Sequence, residues 1–493
     1  MKPDKLSDAI GLVDELLIEE ADKVRRVVRR NRRWWRQWIA IAACLCLAVA
    51  CVFALPHLAT KLSTDTSVAP SSTSATTSAP TTTTTGNKPV VSKAMVVSKA
   101  LSPSGSKYDS WTALRQGNYA KSFSAFYDAM MKQFLIGEAG DNRVISPANL
   151  FVSLAMLAET ADGNSRLQIL ELLGADAVES VRKQAHLLWE TNYYQEDYVA
   201  SEMANSLWLN DTLRYKKDLL DTLSEHYYAS SFMGSMGSGV YNTMLQDWLN
   251  EKTGNVSQEQ VAGVQMDPST VLNLVSTIYF GARWADEFDP NLNEQGVFHA
   301  ASGDVPCEFM RYDAERTLEH VHIGNGYKEV SLRLGTYGMY FFLPDEGVSV
   351  NDMLRNNNLC DVLVYDQNAS SKDESNHFWD VKLRVPKFDI SDDVDLKSGL
   401  RALGVTDIFD GDRADFGPML AEPNGVAVSS VQHAARVSID EQGCTAAAFT
   451  RTDYGMGAPE SNGELDFILD RPFVFCIADG HDSILFAGVV EQP

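Results

Sequence analysis

What this chain of 493 residues lacks narrows its function before any fold is considered. It has no G-x-S-x-G elbow for an acyl-transfer serine and no H-E-x-x-H pair for zinc. The phosphate-binding G-x-x-x-x-G-K-[ST] and G-x-G-x-x-G loops and the EF-hand pattern are missing too. Each chemistry needs its groups at that spacing, so their joint absence argues against an enzyme. Basic residues are scarce: 42 Lys and Arg stand against 66 Asp and Glu, for a net charge of −24. An acidic surface repels a phosphate backbone and argues against a nucleic-acid partner. The seven cysteines show no C-x-x-C or other ligand spacing. Cys307, Cys360, Cys444 and Cys476 are scattered and are expected as free thiols. His320 and His322 share a strand face by parity but have no third ligand nearby. Neither a metal nor a cofactor is expected.

The cations that do occur are concentrated at the start. Ser7 can cap an amphipathic helix over residues 7–30, with Ile10, Val13, Leu17, Ala21 and Val24 at helical spacing. Arg25, Arg26, Arg29, Arg30, Arg32, Arg33 and Arg36 follow, then Trp34, Trp35 and Trp38, then an uncharged run from Ile39 to Leu55. Basic residues before an apolar span, with tryptophan at its edge, place the N-terminus in the cytoplasm. The segments expected are a tail over 1–37, a transmembrane signal-anchor over 38–56, a Ser/Thr/Pro-rich stalk over 57–105 and a globular domain over 106–493 outside the cell. The alternatives are a cleaved, secreted form or a lipid anchor at Cys51. The stalk is too polar to bury a core.

In the globular part, Ala120–Leu135 carries Phe123, Phe126, Met130 and Phe134 on one face and predicts a helix. Ser153–Ala161, Asn164–Leu173 and Asn242–Thr253 predict three more. Strands are predicted at Ala204–Leu209, Val271–Phe280, Met339–Leu343, Val381–Val385 and Gly425–Val431. The apolar runs Phe473–Ile477 and Ile484–Val490 suit a buried hairpin. Helices come mainly first and strands mainly later, so the class is α+β. No internal repeat is expected, and Gly234–Gly239 reads as a flexible connection.

One stretch fits neither core nor catalysis. From Gly443 to Thr452, alternate residues fall on two faces. Cys444, Ala446, Ala448, Thr450 and Thr452 form an uncharged, mostly small face. Thr445, Ala447, Phe449, Arg451 and Asp453 form the other. No proline occurs from Gly443 to Ala458, so nearly every N–H is free to join a ladder. It reads either as a latent strand or as an ordinary Ala-rich turn or short helix.

Ordered motifs around it carry a resemblance. Asn142-Arg143-Val144-Ile145-Ser146-Pro147, Ser153–Leu157 and Asn164-Ser165 come first. Val271–Phe280 with Trp284, Phe288 and Phe298 follows, then Val385-Pro386-Lys387-Phe388, Leu396–Leu400, Leu403-Gly404, Ala414–Phe416, Val428–His433, Arg471–Phe475 and Ile484–Val490. In this order they resemble the serpin family over roughly residues 108–493. The resemblance implies a serpin fold of about nine helices and three β-sheets with an exposed reactive-centre loop. It implies a hinge at Glu441, Gly443, Cys444, Thr445, Ala446, Ala447 and Ala448, and shutter and breach positions at Ser146, Asn149, Ser165, Trp284 and His433. Counting the family's loop length from Gly443 puts the reactive bond at Gly457–Ala458, with Met456 as the alternative. The implied function is suicide inhibition of a serine protease, elastase-like or subtilisin-like from the small residues near the bond, by a monomer that is not an enzyme. The alternative is a non-inhibitory, ligand- or partner-binding serpin. Serpin loop insertion is already a known instance of strand addition and strain release; the small alternate residues and absent prolines support it separately here. Cys444 stands where Thr or Ser is usual, Ser276 where Asn is usual and Asn293 where Thr is usual.

Overall fold

Ser146 and Pro147 start a helix that is buried nearly all round. The Ser146 hydroxyl accepts the Asn149 N–H, and proline takes the first turn, where no donor is needed. The helix therefore runs Pro147–Thr160 with every residue but Ser153 buried, six residues earlier than the apolar spacing predicted. Ser238 likewise caps the Tyr241 N–H and starts the helix Gly239–Lys252 ahead of the expected Asn242. The glycine-rich connection thus supplies a cap as well as a turn, with Gly237 at φ +73.

The computed structural model describes residues 95–99, 110, 112–113, 120–196, 199–253, 261–365, 376–422, 425–429, 431–444, 461–479 and 483–493. All lie in one unit, Pro89–Pro493. The tail, the anchor and the stalk before Met95 lie outside the described residues. Among these residues the elements begin with β1 (Met95–Ser98), α1 (Ala120–Phe134), β2 (Arg143–Ile145), α2 (Pro147–Thr160), α3 (Gly163–Leu172) and α4 (Val178–Thr191). Next come β3 (Tyr194–Gln195), β4 (Val199–Asn210), α5 (Lys217–His226), β5 (Ala229–Gly234), α6 (Gly239–Lys252) and β6 (Leu272–Arg283). Then follow β7 (Glu294–Ala300), β8 (Gly303–Met310), β9 (Thr317–Gly324), β10 (Tyr327–Leu334), β11 (Tyr337–Pro344), α7 (Val350–Asn356) and α8 (Cys360–Tyr365). The last are β12 (Asn376–Pro386), β13 (Phe388–Asp395), α9 (Lys397–Ala402), β14 (Gln432–Ile439), β15 (Gly443–Cys444), β16 (Glu464–Ile468), β17 (Phe473–Asp479) and β18 (Ile484–Val490).

These elements make the α+β architecture that the motifs implied. One sheet has the order β1-β5-β4-β6-β15-β14-β13, with β3 on β4. The other runs β2-β18-β17-β11-β10-β9-β12-β8-β7, with β16 on β12. Within the second, β12 pairs with β9 through Asn376–Val381 and with β8 only through Val385 and Pro386. It is therefore two sheets sharing one strand. Every residue of β17 and β18 is buried, as their unbroken apolar runs predicted.

One predicted strand is displaced. Residues 425–429 form no strand, and the strand is Gln432–Ile439. Gly425 turns at φ +73, and the Val428 N–H bonds to Ile408 O, which ties this segment to a short 3-10 helix rather than to the sheet. True alternation starts later, with His433, Ala435, Val437 and Ile439 buried and Gln432, Ala434 and Arg436 exposed.

A second apolar cluster seats α6 on the first sheet. Trp208 is fully buried and stacks on Phe232 at 4.3 Å. Tyr241, Leu245 and Trp248 join it, and the Tyr241 hydroxyl donates to Leu209 O at 3.2 Å.

Packing around Gly488 leaves no room for a side chain. A Cβ there would lie 2.6 Å from the Phe475 ring and 2.8 Å from Arg143 O, because β18 is held between β17 and β2. Gly488→Ala should destabilise the domain by about 1–3 kcal/mol through overpacking, read as an earlier unfolding midpoint in urea. An unchanged midpoint would mean that the Phe475 ring moves aside freely.

Candidate functional site

The chain leaves β14 at Ile439 and reverses at once. Asp440 makes the reversal: its carboxylate accepts the Gln442 and Gly443 N–H groups at 2.8 and 3.2 Å, an Asx turn. Its backbone N–H bonds to Gly443 O at 2.9 Å. The returning Gly443 and Cys444 then form β15, with Cys444 opposite Ile439 of β14 and opposite Ala282 of β6. Two residues thus lie as a strand between β6 and β14. Those two strands share no ladder with each other among the described residues. β6 is an interior strand, yet it is only half-buried along most of its length.

Glycine is required at this entry. Gly443 sits at φ +147, and an added Cβ would lie 2.2 Å from Ala282 O. Cys444 is 3% exposed, and burial pushes its thiol up to about 12. The group is a protonated thiol at neutral pH, a poor nucleophile and a small apolar filler.

Side chains clamp the turn from below. Trp284 is buried; its indole N–H donates to Asp440 O at 2.8 Å and its backbone N–H to Gln442 O at 3.1 Å. The Phe288 N–H donates to Glu441 O at 3.0 Å. The Glu441 carboxylate takes Lys387 Nζ at 2.6 Å and the Asn293 amide. Lys387 also holds Glu308. Burial opposes the charge on Glu441, but the bonds from Lys387 and Asn293 outweigh it and hold its pKa below the usual glutamate value. Lys387 responds in kind: burial lowers its pKa, and the two carboxylates raise it by more.

A second polar group spans the same two strands farther along. The Ser146 N–H donates to His433 Nε2 at 3.0 Å, which puts the imidazole proton on Nδ1. Burial alone drives the His433 pKa down to about 4, so the ring is neutral. From β6, Ser276 Oγ meets Asn149 Oδ1 and also Asn205 Oδ1, the latter at 2.6 Å. One hydroxyl proton serves only one oxygen. Asn205 keeps its amide nitrogen on Tyr227 O at 2.8 Å, so turning the Asn149 amide over satisfies both contacts. The first turn of α2 therefore bonds to β14 through Ser146 and to β6 through Asn149.

The structure thus brings Ser146, Asn149 and His433 together, and Glu441, Gly443, Cys444 and Trp284 together. Ser165 bonds elsewhere: its hydroxyl accepts the Asp415 N–H at 3.1 Å. Thr445, Ala446, Ala447, Ala448, Met456, Gly457 and Ala458 lie outside the described residues. Lys387, Asn205 and the partnership of Glu308 with Lys387 were not singled out from the sequence. The only available signal was Lys387 inside the Val-Pro-Lys-Phe motif.

Comparison with known proteins follows the same outline. The family model described as Serpin (serine protease inhibitor) matches residues 121–493. The chain is 28% identical over 367 residues to the leukocyte elastase inhibitor of Sus scrofa, covering 71% of this chain and 93% of that one. It is similar to the native state of the thermophilic serpin tengpin, with TM-score 0.66, 22% identity and coverage of 81% of this chain and 100% of that one. It is also similar to human thyroxine-binding globulin complexed with its ligand, with TM-score 0.64, 21% identity and coverage of 77% and 99%. At these identities the two structural likenesses concern the fold alone.

Two measurements test this geometry. Gly443→Ala should expel β15 and raise alkylation of Cys444 by tenfold or more, while the fully buried Cys476 stays unlabelled. Equal labelling of Cys444 in both proteins would show that the entry accommodates a Cβ. His433 titrates lower in the fold than the ordinary histidine value of about 6.5, so the unfolded chain binds the extra proton between those values. Its contribution is whole above pH 6.5 and is lost as the pH falls to 4, by about 3 kcal/mol. The stability difference between wild type and His433→Gln should therefore shrink over that window in urea titrations; a constant difference would count against a neutral buried ring.

Proposed function

The chain belongs to the serpin family, and from that membership we propose that it is a membrane-tethered inhibitor that traps a serine protease as a suicide substrate. The observation that carries this reading is β15: the start of the expected loop already lies between β6 and β14, two strands with no ladder to each other among the described residues. In the proposed sequence a protease serine attacks the carbonyl of Gly457, Ala458 leaves as the amine, and an acyl-enzyme forms. The freed segment from Thr445 onward extends β15 along both strands. A dozen new ladder bonds at about 1 kcal/mol each would supply roughly 10 kcal/mol. That is enough to displace a protease's catalytic groups by more than the ~1 Å they tolerate. The nucleophile belongs to the target, and this chain supplies no catalytic residue.

Small residues and Met456 around the bond favour an elastase-like or subtilisin-like target, in keeping with the elastase inhibitor among its relatives. The apolar run at 38–56 tethers the inhibitor to the cell membrane with the domain outside; among the described residues no helix is long and apolar enough to cross a membrane.

The test is incubation of the full-length chain with elastase, subtilisin and trypsin, followed by denaturing gels and mass spectrometry. A detergent-stable covalent complex cut at Gly457–Ala458 or one residue away is expected with elastase or subtilisin. A trypsin complex cut after Arg451 would sink the bond assignment. Ala446→Pro should be cleaved without trapping, because proline removes a ladder donor at the entering end; trapping at wild-type stoichiometry would sink insertion. Cleavage of the wild type should also raise its melting temperature sharply, and no rise would favour the ligand-binding serpin.

A further inference from the structure

The two edges of the first sheet are guarded differently. At one edge, β13 exposes Asp389, Asp393 and Asp395, charges that discourage pairing with another strand. At the other, β1 exposes Met95, Val96 and Val97 at 58%, 42% and 41%, with no charge in the strand. β1 comes from the segment read as stalk. It pairs antiparallel with β5, Met95 opposite Met233, Val96 opposite Phe232 and Ser98 opposite Ser231, with a bulge at Val97. The Ser224 hydroxyl fixes its end by donating to Lys99 O at 2.9 Å.

The expectation of no internal repeat fails here on a small scale. Val90-Val91-Ser92-Lys93-Ala94 is repeated as Val96-Val97-Ser98-Lys99-Ala100, a shift of six residues. We propose that the outer edge of β5 is a docking site for this Val-Val-Ser-Lys-Ala motif, and that both copies of the same chain compete for it. Six is even, so the slip keeps each side chain on its face of the sheet. Val90 would replace Val96, Ser92 would replace Ser98, and Lys93 O would replace Lys99 O as the acceptor for Ser224.

Two differences rank the copies. In the shifted register Pro89 stands where Met95 stands now, and proline has no N–H to give. A ladder bond forgone at that position would disfavour the register about fivefold. The connection to Ser110 is also six residues longer, which costs about another factor of two in closure. The first copy therefore holds the edge in roughly one molecule in ten. The exchange changes the free tether ahead of the domain by six residues, about 20 Å when extended.

Hydrogen exchange of the full-length chain, read by mass spectrometry on the peptide spanning Ala229–Gly234, tests this. Four proteins are compared: wild type, Val96→Pro with Ser98→Pro, Val90→Pro with Ser92→Pro, and all four substitutions together. The second-copy variant should keep β5 protection to within about tenfold, because the first copy slides in. The first-copy variant should match wild type, and the four-site variant should exchange as an open edge. Equal loss in the second-copy and four-site variants would overturn the proposal, as would full protection in the four-site variant. Cysteine pairs give a readout independent of folding damage. Ser98→Cys with Ser231→Cys should close a disulfide within one chain, and Ser92→Cys with Ser231→Cys should do so about tenfold more slowly. Disulfide-linked dimers from the second pair would overturn docking in cis and assign the first copy to a neighbouring chain.

Discussion

A buried backbone N–H or C=O must find a partner, and the groups of β6 and β14 that face each other do not find it in one another among the described residues. Nearly everything around the site answers to that constraint. β15 meets the need for two residues. The Asx turn at Asp440 aims it, Gly443 lets it pass Ala282 without a Cβ, and Cys444 fills the space beneath without a charge. The turn is pinned by the indole of Trp284 and by the Lys387–Glu441 pair, so its position is set by groups from three separate stretches of the chain.

The same two strands are also tied together from below. The first turn of α2 uses the Ser146 N–H toward His433 on β14 and the Asn149 side chain toward Ser276 on β6. An N-terminal helical turn has spare donors, and here the Ser146 N–H is spent on a strand instead of on water. Any widening between β6 and β14 would strain one of these contacts. Neutral His433 keeps a charge out of this buried arrangement.

Periodic features were legible in the sequence. The unbroken runs of β17 and β18 and the apolar face of α1 follow from the geometry of one element, and of the stretch Gly443–Thr452 only Gly443 and Cys444 lie among the described residues. The helix starts at Pro147 and Gly239 were missed by apolar spacing, because a cap is polar and lies outside the repeat. The strand expected at Gly425–Val431 failed because valine-rich sequence fits any extended segment; only the alternation from His433 onward marks burial on one face. Lys387 and Glu441 are far apart in the chain, and no local pattern foretells such a pair. β1 was hidden by its setting: four ordinary residues at the end of a low-complexity tract, given structure only by the edge of β5.

The hydrogen-bonded turn from Asp440 to Gly443 has a kinetic meaning. Starting a new strand between two others ordinarily demands a search over registers and the entropy of closing a loop. With Cys444 already facing Ile439 and Ala282, both are settled for any residue that joins the ladder after it. What would remain is elongation from a formed nucleus, one residue pair at a time, in a register that cannot slip. Such a process runs like a zipper whose slider is already engaged.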